Sequence, residues 1–333
     1  MSLRVGVVGT GVMGAEHARI LHEETRGAHL AAVADADAAR ATAAARGAVV
    51  HDDPLALIAS DAVDAVVIAA PDATHGQLAR ACLEHGKPVL CEKPLAATPA
   101  EALGLIEAEV AVGRRLIQVG YMRRFDPAYV EMRAARRAGR IGAAVLLHNI
   151  HRNAQAPGWF TGAMALTNSF VHEIDISRWL LGSELRRAEV VAGPGGEPLM
   201  ITMTTDRDEI VSTEVFVNAA YGYHVHAELV GRGGTIALAT PSLTTTNLAG
   251  AHGHDWPENW VPRFREAYRR QMDAWVRGIA TGVPDGASAW DGYVASAIAE
   301  QVAEAFAAGR PAELRLAPRP DLYRETPPVP GEA

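Results

Sequence analysis

Cysteine is scarce: Cys82 and Cys91 are the only two among 333 residues. Without a C-x-x-C pair or Cys/His metal spacing they supply neither a disulfide framework nor a zinc cluster, and they suit a reducing compartment. Long apolar runs are also missing. The longest are about seven residues, such as 65–71, where a membrane span needs roughly 20. Basic charge is not in excess. The 31 Lys and Arg face 39 Asp and Glu, giving a formal charge of −8 with no long basic run. That balance excludes the electrostatic footprint of a nucleic-acid binder. The first strand signal begins at Leu3, so no signal peptide is expected. The expectation is a cytoplasmic protein that meets neither nucleic acid nor membrane. With 49% apolar and 21% charged residues the composition is that of a globular protein. Its length allows two domains of roughly 150 residues each.

Glycine is present where it carries information. Gly9-Thr10-Gly11-Val12-Met13-Gly14 follows an apolar run, 3–8, and precedes an amphipathic segment from Ala15 to about Glu23. This fits G-x-G-x-x-G between a strand and a helix. The first glycine permits a tight turn, the second lets backbone approach a pyrophosphate, and the third lets the helix pack on its strand. The phosphates then meet a helix N-terminus, where unpaired N–H groups and the dipole favour anions. Asp35 closes a second apolar run, 30–34, at about the ~20-residue spacing of a carboxylate that accepts from a ribose. A 2′-phosphate would be repelled there, and Ala36-Asp37-Ala38 place no arginine beside it, so the expected cofactor is NAD.

Strand-length apolar runs at 5–8, 30–34, 48–50, 65–70, 88–91 and 116–119 alternate with segments of helical spacing such as 76–85 and 99–112. Such alternation predicts a parallel sheet with helices on both faces, its ligand rim at the carboxyl ends of the strands. Gly9, Asp35, Pro71, Glu92 and Gly120 mark that rim. Beyond Tyr121 the pattern predicts a helix over 126–139, a strand over 143–150 and one helix over 168–181 closed by Gly182. Strands over 199–205, 210–219, 223–230 and 235–239 follow without helices between them, which means an antiparallel sheet. Two late helices cover 259–281 and 289–308. The domains expected are 1–122 and 123–316, with a Pro-rich tail, 317–333, that is extended or disordered.

Three clusters could do chemistry. Lys93, in Cys91-Glu92-Lys93-Pro94-Leu95, closes the fifth strand. It is either a surface lysine held in a turn or a cation at the mouth of the crevice, able to stabilise a developing alkoxide. His172 lies one helical turn after Asn168, and 168, 172, 175 and 179 share a face. A histidine near neutral pKa is a natural general base, although a lone helical histidine is commonly structural. Asp175 and Arg178 read as a surface pair or a helix anchor. In 148–153, strand alternation puts His151 and Asn153 on one face, as hydroxyl-binding groups or as a polar strand end. His252, His254 and Asp255 are the one hint of metal, and they read as an unliganded loop.

In order, G-x-G-x-x-G, then Pro71 to His75, then Glu92-Lys93-Pro94, then a histidine-bearing helix, the chain resembles the Gfo/Idh/MocA oxidoreductase family from Val5 to about Gly309. It resembles the family's bacterial myo-inositol 2-dehydrogenases in particular, through 119–126, His151-Arg152-Asn153, His172-Glu173-Ile174-Asp175 with Arg178-Trp179-Leu180, and Tyr221-Gly222-Tyr223. The resemblance implies an α/β fold: a Rossmann doubly wound parallel sheet, then an α+β domain whose large, mostly antiparallel open sheet builds a homodimer or homotetramer. It implies oxidation of a ring hydroxyl of a cyclitol or sugar, with Lys93 and His172 catalytic and Asn168 orienting the imidazole. NAD would meet residues 9–14, Asp35, Ala70, Pro71, Thr74, His75, Glu92 and Lys93. The polyol would meet Lys93, Met122, Arg123, His151, Asn153, Asn168, His172 and Tyr223. One departure stands out: inositol dehydrogenases carry Asp where this chain has Asn168. Asn supplies no negative charge, so the imidazole should stay neutral at lower pH. An aminocyclitol or aminoglycoside substrate therefore stays open, as does, in another class, a noncatalytic NAD-binding regulator.

Overall fold

The computed structural model describes residues 2–160, 162–239, 242 and 244–324. The chain forms two compact units. The first takes the residues up to Gly120, Met272–Val294 and the stretch from Leu316; the second takes Tyr121–Gln271 and Ala295–Arg315. Against the contiguous blocks expected at 1–122 and 123–316, residues 272–294 lie with the N-terminal unit. The two late helices each begin in one unit and end in the other, a crossing that apolar periodicity cannot signal.

The first unit runs β1 (Leu3–Val8), α1 (Val12–Glu23), β2 (Ala28–Ala34), α2 (Ala38–Ala45), β3 (Val49–His51), α3 (Pro54–Ala59), β4 (Ala65–Ile68), α4 (His75–Glu84), β5 (Val89–Cys91), α5 (Pro99–Val112) and β6 (Ile117–Val119). The parallel strands order as β6-β5-β4-β1-β2-β3, and β4 and β5 are buried throughout because helices cover both faces. Sequence sets the helix starts. The Asp37 carboxylate accepts from the Ala39 and Arg40 N–H groups. Asp53 and Thr98 cap α3 and α5, each just before a proline at the first helical position.

The second unit holds α6 (Pro127–Arg137), β7 (Ala144–Arg152), α7 (Met164–Asn168), α8 (Val171–Leu181), β8 (Leu185–Ala192), β9 (Leu199–Thr205), β10 (Ile210–Phe216), β11 (His224–Gly231) and β12 (Gly234–Ala237). A hairpin follows, β13 (Thr246–Leu248) with β14 (Ala251–Gly253). Then come α9 (Trp260–Thr281), β15 (Ala287–Ser288), α10 (Ala289–Ala307) and β16 (Ala312–Glu313). β15 extends the first sheet antiparallel to β6. The second sheet orders as β12-β11-β7-β10-β9-β8-β16 and is antiparallel except for β7 beside β10. Its inner face alternates along each strand: Leu147, Asn149 and His151 of β7, and Val211, Thr213 and Val215 of β10. α8 lies on that face, with Asn149 Nδ2 donating to Ser177 Oγ at 3.1 Å.

Three expectations change. β8 escaped the sequence reading because three charged residues interrupt its apolar pattern. The helix expected over 168–181 is two, since α7 ends at Asn168 and α8 begins at Val171. The stretch read as a loop around His252 is a strand of the hairpin.

The Pro-rich segment is docked as far as Arg324; residues 325–333 lie outside the described residues. Its anchor is a short 3-10 turn that buries Tyr323, whose hydroxyl donates to Glu109. Glu109 is 0% exposed and also accepts from the Leu116 and Ile117 N–H groups at the start of β6. Among the described residues no helix is long and apolar enough to cross a membrane. Glu109→Ala leaves three donors without their acceptor. At roughly 1–3 kcal/mol per buried unsatisfied group, denaturant titration should show a loss of about 3 kcal/mol or more, and an unchanged midpoint would refute this role.

Candidate active site

The strand order reverses between β1 and β4, and a crevice of about 510 Å³ opens at their carboxyl ends. Its lining includes Gly9, Gly11, Asp35, Ala70, Pro71 and Thr74. The three glycines meet three different constraints. Gly9 has φ +83°, and a Cβ there would lie 2.4 Å from the Ala70 nitrogen. A Cβ at Gly14 would lie 1.7 Å from the Gly9 carbonyl oxygen. A Cβ at Gly11 would meet nothing within 4 Å, so this backbone is open to a ligand where α1 starts. These residues fit a pyrophosphate.

Asp35 is held from several sides. It accepts from the Thr10 N–H at 2.6 Å, the Thr10 hydroxyl at 3.0 Å and the Asp37 N–H at 2.8 Å. Burial opposes its ionisation, but these donors and Arg40 keep its pKa below the usual carboxylate range. Arg40 was missed in the sequence. It lies five residues on, yet α2 returns its guanidinium to 3.2 Å from Asp35, and it lines the crevice.

Not every rim residue opens to the crevice. Val12 is exposed at the first turn of α1. Glu92 accepts from His17 Nε2 on α1 at 2.8 Å, and Lys93 follows it, half-buried. His75, expected beside the cofactor, is 1% exposed and bonded to two backbone carbonyls in the crevice wall.

In the second unit a set of rings gathers at the end of β7. His172, in the first turn of α8, lies 6.3 Å from the His151 ring and 5.9 Å from the Tyr121 ring; His151 is 5.9 Å from Tyr223. Behind them runs a buried charge network. Arg123 and Glu173 pair, 2% and 0% exposed, and His151 Nδ1 lies 3.1 Å from Glu173. Burial opposes ionisation of Glu173, but Arg123 and His151 outweigh it and hold its pKa low. The same Nδ1 lies 3.2 Å from Arg123 Nη2, so it faces a carboxylate that only accepts and a guanidinium that only donates. Asn153 Oδ1 is buried without a hydrogen-bond partner among the described residues. Burial pushes the Tyr223 hydroxyl up to about 12, so it remains a donor.

Met122 and Arg123, expected on the substrate, are both 2% exposed and lie behind this surface. Asn168 is exposed at the end of α7, with Ser169 and Phe170 between it and the helix of His172. Arg124 forks onto Asp175 at 3.0 and 2.5 Å, and Arg178 onto Glu184 at 2.7 and 2.8 Å. His252 and His254 bond to Asn247 and to the Thr244 carbonyl. No group of three or more His, Cys, Asp or Glu among the described residues could hold a metal ion. Glu173 was also missed. Its only sequence signal is an acid within an apolar helix, and its partner is 50 residues away.

Fold and crevice define an NAD-dependent oxidoreductase. The chain matches the family model described as the oxidoreductase family, NAD-binding Rossmann fold, over residues 3–121, and its C-terminal alpha/beta domain over 139–314. It is 51% identical to inositol 2-dehydrogenase 1 of Saccharopolyspora erythraea, covering 97% of this chain and 99% of that protein. It is 40% identical to inositol 2-dehydrogenase of Acidothermus cellulolyticus, covering 97% and 98%. The crystal structure of myo-inositol dehydrogenase from Lactobacillus casei in complex with NAD(H) and myo-inositol superposes with a TM-score of 0.92 at 29% identity, covering 97% of this chain and 100% of that one. The chain belongs to the Gfo/Idh/MocA oxidoreductase family.

Replacing Glu173 by Gln leaves Arg123 charged and unpaired in the interior. Breaking a buried pair costs about 3–5 kcal/mol, so the unfolding midpoint should fall sharply; a shift no larger than a surface variant's would show the pair to be dispensable.

Proposed function

We propose that this protein oxidises a ring secondary hydroxyl of a cyclitol to the ketone. The observation that carries this reading is the ring cluster of His172, His151 and Tyr223, in a chain 51% identical along its length to a protein named for inositol. NAD, when bound to the first unit, supplies the hydride acceptor. His172 takes the proton of the reacting hydroxyl as general base. Lys93 contributes an ammonium that polarises the same oxygen. His151 hydrogen-bonds a neighbouring hydroxyl through Nε2, Asn153 accepts from one through Oδ1, and Tyr223 donates. Asn168 adds no negative charge beside His172. Arg123 acts from behind, through Glu173 and His151. The names of the relatives favour a cyclitol over an aminoglycoside sugar. The ring cluster favours catalysis over a noncatalytic regulator.

A homo-oligomer through the second sheet goes with this reading. Val191, Met200 and Ile210, on three adjacent strands, are exposed on the face away from α8. Light scattering after gel filtration should give a dimer or tetramer mass, and a monomer at micromolar concentration would reject it.

Positioned acid–base help is worth ~10²–10⁴ in rate. His172→Ala should therefore lose about that much NADH formation from myo-inositol while still binding NAD. Turnover equal to the parent's would remove His172 from the proton path. Preferential oxidation of aminocyclitols in the same assay would instead replace the proposed substrate class.

A further inference from the structure

His75 touches two backbone carbonyls at once. It opens α4, is 1% exposed, and places Nδ1 2.6 Å from the Pro94 oxygen and Nε2 2.8 Å from the Ala70 oxygen. Peptide carbonyls accept hydrogen bonds and never donate them. A neutral imidazole has one N–H, so its second nitrogen would turn a lone pair onto a carbonyl lone pair at less than 3 Å. The imidazolium satisfies both contacts. We infer that His75 is an imidazolium at neutral pH that staples the loop after β4 to the turn carrying Lys93, a positioning residue for the dehydrogenase reaction proposed above, on which this role rests.

Two forces oppose a cation here. Burial removes its hydration, and the first turn of a helix is the positive end of the dipole. Three features answer them. Both hydrogen bonds become charge-assisted, which makes each roughly twice as strong as a neutral one. The Cys91 sulfur lies beside the ring. The Glu101 carboxylate lies over the start of α4, so close that a Cβ on Gly76 would sit 2.1 Å from its Oε1. Burial pulls the ring toward its neutral form, but Cys91 and the two carbonyls hold its pKa up at about 10.

The two carbonyls belong to functional segments. Ala70 lines the nucleotide crevice beside Gly9, and Pro94 directly follows Lys93. One side chain thus sets the distance between the crevice wall and the lysine turn without touching cofactor or substrate. Residues 1 Å out of place can cost about 10²-fold in rate.

The charge is tested on the whole, unliganded protein by ¹⁵N NMR of histidine-labelled material near neutral pH. The His75 signal is assigned by its loss in His75→Gln, or through its neighbours should that variant not fold. Protonation of both ring nitrogens is expected; one bare nitrogen overturns the inference whatever the substrate proves to be. The positioning role is tested by kinetics and binding. His75→Gln should keep the parent's affinity for ADP-ribose, which has the adenosine, pyrophosphate and second ribose of the cofactor and lacks only the nicotinamide. Its kcat with myo-inositol should fall by about 10- to 100-fold at a similar KM. Unchanged kcat, or ADP-ribose binding lost together with turnover, would reduce His75 to a part of the general core. Absence of inositol turnover in the parent protein would instead fault the proposed substrate and leave the NMR result standing.

Discussion

The cofactor half of this protein depends on how closely α1 approaches β1. Only a hydrogen fits where Gly14 faces the Gly9 carbonyl. That contact sets where the helix begins and which way its first N–H groups point. Gly11 then lies open on the one side a ligand can use, and Asp35, steadied by Thr10, closes the far wall. The reversal of strand order beside β1 supplies the volume. A side chain at Gly9 or Gly14 would force the helix and the β4 loop apart and remove the crevice rather than reshape it.

The second unit solves a different problem, the placing of polar groups in an interior. Arg123, Glu173, His151, Asp126 and Arg263 are all removed from water, at a desolvation cost that mutual pairing seldom does more than offset. Orientation is what such a network provides. Glu173 and Arg123 together hold the His151 ring in place, Arg123 keeps Glu173 ionised, and Asp126 both caps α6 and receives Arg263 at 2.7 Å. A hydroxyl-rich ring needs acceptors and donors held at fixed positions, and side chains locked by charge hold them better than free rotamers would. His75 applies the same logic to backbone, with one buried charge tying two loops together.

Much of this was legible in the sequence because it is local. The glycine spacing, the strand–helix alternation and the caps at Asp37, Asp53 and Thr98 each act within a few residues. The parallel first sheet and the mostly antiparallel second one follow from whether helices separate the strands. Reading failed where local signals were weak or misleading. β8 carries too much charge to look like a strand. The Ser169-Phe170 break interrupts no periodicity. Arg40, Glu173 and Tyr323 gain their meaning from partners that spacing alone does not point to.

The sequence by itself therefore determined the nucleotide fold, the position of its glycine turn and the residue types of the ring cluster. Backbone conformation and apolar period are set by near neighbours, which a single chain displays. The tertiary structure alone decided that His75 bridges two backbone carbonyls, that Met122 and Arg123 are buried behind the ring cluster, and that Arg124 reaches Asp175 while Arg178 reaches Glu184. Side-chain partnership is a matter of distance in space. In a chain whose buried charges join residues such as Arg123 and Glu173, 50 positions apart, order along the sequence does not record it.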